Sequence, residues 1–117
     1  MDLENAVQKH SEWKVKFRAA IAAREGLDAA TIAKDNCCEL GRWLHGDGRS
    51  RWSALPAYAA CLRKHAEFHQ AAGKVAEAIN AKRFVDAEDM LQGDTPYANI
   101  SRDVVTAILR LKKEAAL

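Results

Sequence analysis

The sequence predicts an all-α fold, an antiparallel four-helix bundle with an additional short helix, and three observations predict it. Helix formers, alanine foremost, run from end to end of the 117 residues. Only two prolines, Pro56 and Pro96, interrupt them. No stretch alternates apolar and polar residues for long enough to make a strand, whereas apolar residues recur three or four apart in several segments.

The first helix is expected over Leu3 to Arg24. Leu3, Val7, His10, Trp13, Phe17 and Ile21 fall on one side of it, and Gly26 follows as a C-cap. A shorter second helix follows Asp28, includes CCELGRWL (37–44) and ends in the glycine-rich turn HGDGRS (45–50). The long third helix should start near Leu55 or Pro56, since proline is tolerated in a first helical turn. KRFVDAEDMLQ (82–92) reads as a short amphipathic piece closed by a turn. The last helix, ISRDVVTAILRLKKEAAL (100–117), places Ile100, Val104, Ala107, Ile108 and Leu111 on one stripe. Its Lys112 and Lys113 stand where cations favour the helix dipole. Short connections between such helices make neighbours antiparallel, and the length suits one domain covering residues 1–117.

Charge and composition narrow the function. Eighteen Lys and Arg against sixteen Asp and Glu, interleaved along the chain, give a net charge of +2. That balance provides no electrostatic reason for a nucleic-acid or anionic-membrane partner. No apolar run is long enough to span a bilayer, and MDLENAVQKH is acidic and amphipathic where a signal peptide is basic and then apolar. The expected location is cytoplasmic, where Cys37, Cys38 and Cys61 would be thiols, metal ligands or redox sensors.

The chemistry lies in HAEFH (65–69). At about 100° per residue, His65 and His69 share a sector with Tyr58, Leu62, Ala72 and Ala76, so both imidazoles point at the core. Buried imidazoles without partners are costly, and an i, i+4 pair brings two ring nitrogens toward a common point. His10, between Val7 and Trp13, also faces inward. Cys38 is a plausible fourth ligand, with Gly41 allowing close backbone approach and Trp43 closing over the site. Three imidazoles and a thiolate make a tetrahedral set that zinc readily accepts.

Bland readings stand beside this one. A lone histidine on an apolar stripe pairs readily with a backbone carbonyl, and a lone buried cysteine is often a small hydrophobe. The convergence of four such residues favours metal. Hydrolysis is disfavoured, because Ala66 follows His65 where a metalloprotease has glutamate, and Glu67 faces away. A di-iron centre would need Glu-x-x-His pairs, but Leu62 and Ala66 stand in those places. A zinc-stabilised interaction module without a sensing role remains as the alternative.

Three motifs carry a family resemblance: HSEWK (10–14), CELGRWL (38–44) and HAEFHQAAGKV (65–75). With them the chain resembles the chemoreceptor zinc-binding domain of bacterial chemoreceptors and some diguanylate cyclases. The resemblance implies one zinc ion per chain held by His10, Cys38, His65 and His69 in a four-helix bundle; a site closed by four protein ligands has no open position for water, so no enzymatic turnover is expected. It further implies a sensory role, in which zinc occupancy or oxidation of the ligand cysteine, for example by hypochlorous acid, alters the conformation passed to a signalling output. The partner would be a chemoreceptor or diguanylate cyclase output module in cis or in trans, and a homodimer is open. Cys37 departs from the pattern; on a helix it would face about 100° from Cys38, as a structural residue or a backup or resolving thiol. Cys61, one turn before His65, is expected to pack near the site, and His45 to be an exposed loop residue. Asp35 could bond a ligand imidazole or simply start a helix.

Overall fold

A computed structural model describes all 117 residues. It contains eight helices and no strand: α1 (Leu3–Ser11), α2 (Trp13–Ala23), α3 (Ala29–Ile32), α4 (Glu39–His45), α5 (Asp47–Trp52), α6 (Pro56–Asn80), α7 (Phe84–Met90) and α8 (Pro96–Glu114). The all-α expectation holds, and the arrangement is consistent with the antiparallel bundle. α6 is its axis, since 25 residues rising about 1.5 Å each span most of the molecule's 43 Å long dimension.

α6 begins as its sequence dictates, with Leu55 extended and Pro56 in the first turn. It ends where Lys82 takes a left-handed backbone conformation and the Arg83 N–H closes on the Ala78 carbonyl at 2.9 Å. Its buried face, including Phe68, Ala72, Val75, Ala76 and Ile79, meets Ile100, Val104, Ile108 and Leu111 of α8. Each large side chain buried there contributes about 1.5–3 kcal/mol. α8 starts four residues earlier than the stripe suggested, because the Thr95 hydroxyl caps it by accepting from the Ala98 N–H at 3.2 Å.

The first predicted helix is divided into α1 and α2 at Glu12. Ser11 Oγ bonds back to the Val7 carbonyl at 2.9 Å, a contact that competes with the helical ladder and bends it. The C-cap is Arg24, at φ 54°, rather than Gly26. Arg24 offsets the strain of that conformation by setting its guanidinium over Phe84.

The second predicted helix is in fact two, and the turn predicted after it is a third. Asp28 and Cys38 each act as an N-cap, accepting from Thr31 N–H at 3.2 Å and Gly41 N–H at 3.3 Å, so α3 and α4 are separate, with a non-helical stretch before Cys38. The glycine-rich stretch is helical as α5. Gly46 makes the corner between α4 and α5, and Gly48 lies against Trp43, where a β-carbon would stand 2.9 Å from the indole.

α3 is fastened to α6 at three points. Asn80 accepts from the Leu27 N–H at 2.7 Å and donates to the Leu27 carbonyl at 2.8 Å. Gly73 faces Ala33 so closely that a β-carbon would come within 2.7 Å of the Ala33 methyl. The third point is the Ile32 carbonyl, which belongs to the site.

Candidate metal centre

Three elements converge on one point. α1 brings His10, the cap of α4 brings Cys38, and α6 brings His65 and His69. The histidines are almost wholly buried and Cys38 is half-buried. Their ligand atoms lie within 4.8 Å of one another.

The backbone sets the tautomers. His10 Nδ1 lies 2.7 Å from the Ala6 carbonyl and His69 Nδ1 lies 2.8 Å from the Ile32 carbonyl. A carbonyl only accepts, so each Nδ1 carries the proton, and each Nε2 turns a lone pair inward. His65 Nε2 stands 3.1 Å from His10 Nε2 and 3.0 Å from His69 Nε2, while its Nδ1 has no partner. Cys38 Sγ is 3.8, 3.2 and 3.5 Å from the Nε2 atoms of His10, His65 and His69.

Those five separations, of the six in the cluster, come close to the ones zinc requires. Bonds of about 2.0 Å to nitrogen and about 2.3 Å to sulfur in a tetrahedron require N···N edges of about 3.3 Å and N···S edges of about 3.5 Å. Burial agrees with ligation. It pushes His10 down to about 4 against the opposing Ala6 hydrogen bond, and with the neighbouring rings it pushes His65 down to about 2. His69 is lowered by burial as well, against the Ile32 carbonyl and the charge of Asp35. All three rings are therefore neutral near pH 7, the form that binds a metal. Burial raises the Cys38 thiol, partly offset by N–H groups at the start of α4. A cation would have to displace that proton.

Gly41 performs the predicted role, since its α-carbon passes so near the Asp35 carbonyl that a β-carbon would sit 1.8 Å from that oxygen. Trp43 does not close the site, because its indole covers Gly48. Trp13 stands there instead, between two clefts that reach Cys38. One, of about 290 Å³, includes His10, Trp13, Cys37, Cys38 and Arg42 in its wall. The other, of about 180 Å³, includes Trp13, Lys34, Cys37, Cys38 and His69. Trp13's place on the stripe of the first helix was the available signal.

Asp35 fits neither predicted reading. It lies in the turn after α3 and bonds His45 Nε2 at 3.0 Å. His45 is exposed as expected, but it is the last residue of α4 rather than a loop residue. Cys61 is fully buried, its thiol pushed up to about 12 by burial, and lies outside the cluster. Cys37 is exposed and sits in a bend, not on a helix.

A buried set of three imidazoles and one thiol, gathered by separate helices, defines a metal-binding helical domain. A family model for the chemoreceptor zinc-binding domain matches residues 10–76, more than half of the chain and all four cluster residues. The chain belongs to that family, a zinc-binding signalling family rather than a catalytic one. No curated protein and no solved structure gives a significant match. No helix is long and apolar enough to cross a membrane.

Proposed function

We propose that residues 1–117 form one sensory domain in which His10, Cys38, His65 and His69 bind a single zinc ion. The observation that supports this most is the set of three Nε2 atoms and one Sγ gathered within 4.8 Å, five of their six separations close to tetrahedral edges, with two rings fixed by carbonyls so that their lone pairs face inward. Four protein donors leave a tetrahedral ion no open position for water, so the bound metal supplies cohesion and not turnover.

Signal enters through the ligand shell. Zinc availability changes occupancy, and an electrophilic oxidant such as hypochlorous acid attacks Cys38, the most accessible of the four. Either event frees the segment around Cys38 from α6 and alters the surface offered to an output module. That module is of chemoreceptor or diguanylate cyclase type, joined in cis or acting in trans, and the domain itself is cytoplasmic.

The test is metal analysis of the wild type beside His10→Ala, Cys38→Ala, His65→Ala and His69→Ala. About one zinc per chain in the wild type, lost or much weakened in every variant, is the expected result. Zinc retained in the variants would reduce the four residues to core packing.

A further inference from the structure

The ligand-position cysteine has a second cysteine directly before it, and no helix holds the two apart. Cys37 lies in the bend before α4, so the angular separation of neighbours on a helix does not apply to it. It is exposed, with Asn36 Oδ1 at 3.5 Å from its sulfur. Both thiols open onto the same two clefts on either side of Trp13. The third thiol, Cys61, is fully buried and lines neither.

The backbone here is lightly held. Residues 35–37 lie outside any helix, in a turn and a bend. The Cys37 carbonyl is held by Arg42 Nη1 at 2.7 Å, a side-chain contact at the surface.

We infer that Cys37 is the resolving thiol for Cys38, so that oxidation of this site ends in a Cys37–Cys38 disulfide. This rests on the reading of Cys38 as the oxidant-sensitive ligand. The Cys38 thiolate attacks the chlorine of hypochlorous acid, forming an S–Cl bond as the O–Cl bond breaks and hydroxide leaves; water then displaces chloride and loses a proton to leave Cys38–SOH. The Cys37 sulfur then attacks the Cys38 sulfur; the S–O bond breaks, and the sulfenic oxygen leaves as water with the Cys37 proton. Two electrons pass from the two thiols to the chlorine.

Adjacent α-carbons lie about 3.8 Å apart across a trans peptide, below the usual 4.4–6.8 Å of a disulfide. The bond therefore forms only by reshaping the backbone around residues 35–38, and it is strained and easily reduced. Strain of this kind suits a reversible signal. A disulfided Cys38 has no thiolate to offer a metal, whereas reduction returns it, which sulfinic acid does not allow.

The test treats zinc-loaded wild type and Cys37→Ser with an equimolar dose of hypochlorous acid, then maps the tryptic peptide 35–42 and follows zinc with a chromogenic chelator. Cys37 is exposed, so the serine variant folds. Expected in the wild type is a peptide about 2 Da lighter than its dithiol form, with zinc binding restored by dithiothreitol. The variant should instead gain about 16 or 32 Da and recover zinc poorly. Identical oxygenated products in both proteins, or a disulfide to Cys61 or to a second chain, would overturn the assignment. A Cys37–Cys38 disulfide formed while zinc stays bound would leave the thiol pair standing and sink the ligand role of Cys38. Zinc release with only oxygenated Cys38 would do the reverse.

Discussion

The helix pair α6–α8 and the segment α3–α5 both frame the proposed zinc site, but they are built on different physics. α6 and α8 are long, meet along a continuous apolar seam, and hold His65 and His69 on a frame stabilised by burial. The α3–α5 segment consists of helices of four, seven and six residues, each too short to persist alone. It is held by caps, by the Asn80 clamp and by three glycine close approaches. The imidazoles of α6 come from the part that resists change, and the thiol comes from the part that yields.

The largest expected effect breaks the rigid side. Phe68 is fully buried and its ring lies 5.3 Å from His10, 5.5 Å from His69 and 5.8 Å from Tyr97, centroid to centroid. Phe68→Ala should cost about 3–5 kcal/mol, a large share of a small domain's stability. Chemical denaturation should show a lower midpoint for the whole chain. A loss below about 1 kcal/mol would mean the seam is not the source of its stability.

Zinc removal comes next and sharpens the contrast. Hydrogen exchange after chelation should quicken over residues 28–45 while the middle of α6 and of α8 stays protected. Uniform loss of protection would show the metal to be a folding staple for the entire domain, and the non-sensing interaction module would then be the better reading. Gly41→Ala should act similarly without touching a ligand. Its β-carbon would meet the Asp35 carbonyl, so the cap of α4 must shift, at about 1–3 kcal/mol. Zinc affinity should fall about tenfold or more, since that cap carries the proposed ligand Cys38. Gly93→Ala, with nothing within 4 Å of its β-carbon, is the control.

The same contrast explains what could be read from the sequence. α6 was legible because one amphipathic stripe and Pro56 decide it, and His65 and His69 followed from the spacing on that stripe. α3 and α4 were misread as one helix, and α5 as a turn, because the breaks in this segment come from tertiary needs. Cys38 is extended as a cap so that its sulfur can reach α6, and Gly41 is chosen by a backbone that approaches from six residues upstream. Nor could helical periodicity show that the Asp35 side chain turns toward His45. The split at Glu12 depends on the rotamer of Ser11, which no periodicity encodes. Trp43 was assigned to the site by its place in the motif, but Gly48 offers it a flat seat elsewhere.

The smallest expected effect isolates one cap of the yielding segment. The Asp28 carboxylate accepts from Thr31 Oγ1 at 2.8 Å and from the Thr31 N–H at 3.2 Å. These bonds, side chain first, with Lys34 adding a little, hold its pKa below the ordinary value. A carboxylate lowered by folding stabilises the native state in full above its unfolded pKa, and that contribution fades as pH falls through the folded value. Thr31 and Ile32 amide protection in wild type relative to Asp28→Ala should therefore be constant from neutral pH to about pH 5 and shrink below about pH 4. Asp28→Asn separates charge from geometry, because asparagine caps nearly as well but does not titrate. Its difference from Asp28→Ala should stay flat with pH. Protonation of the metal cluster in acid affects all three proteins alike and cancels in the comparison. Since α3 presents the Ile32 carbonyl that fixes His69, even this exposed cap bears on the orientation of a ligand, but only through a hydrogen bond that α6 already favours.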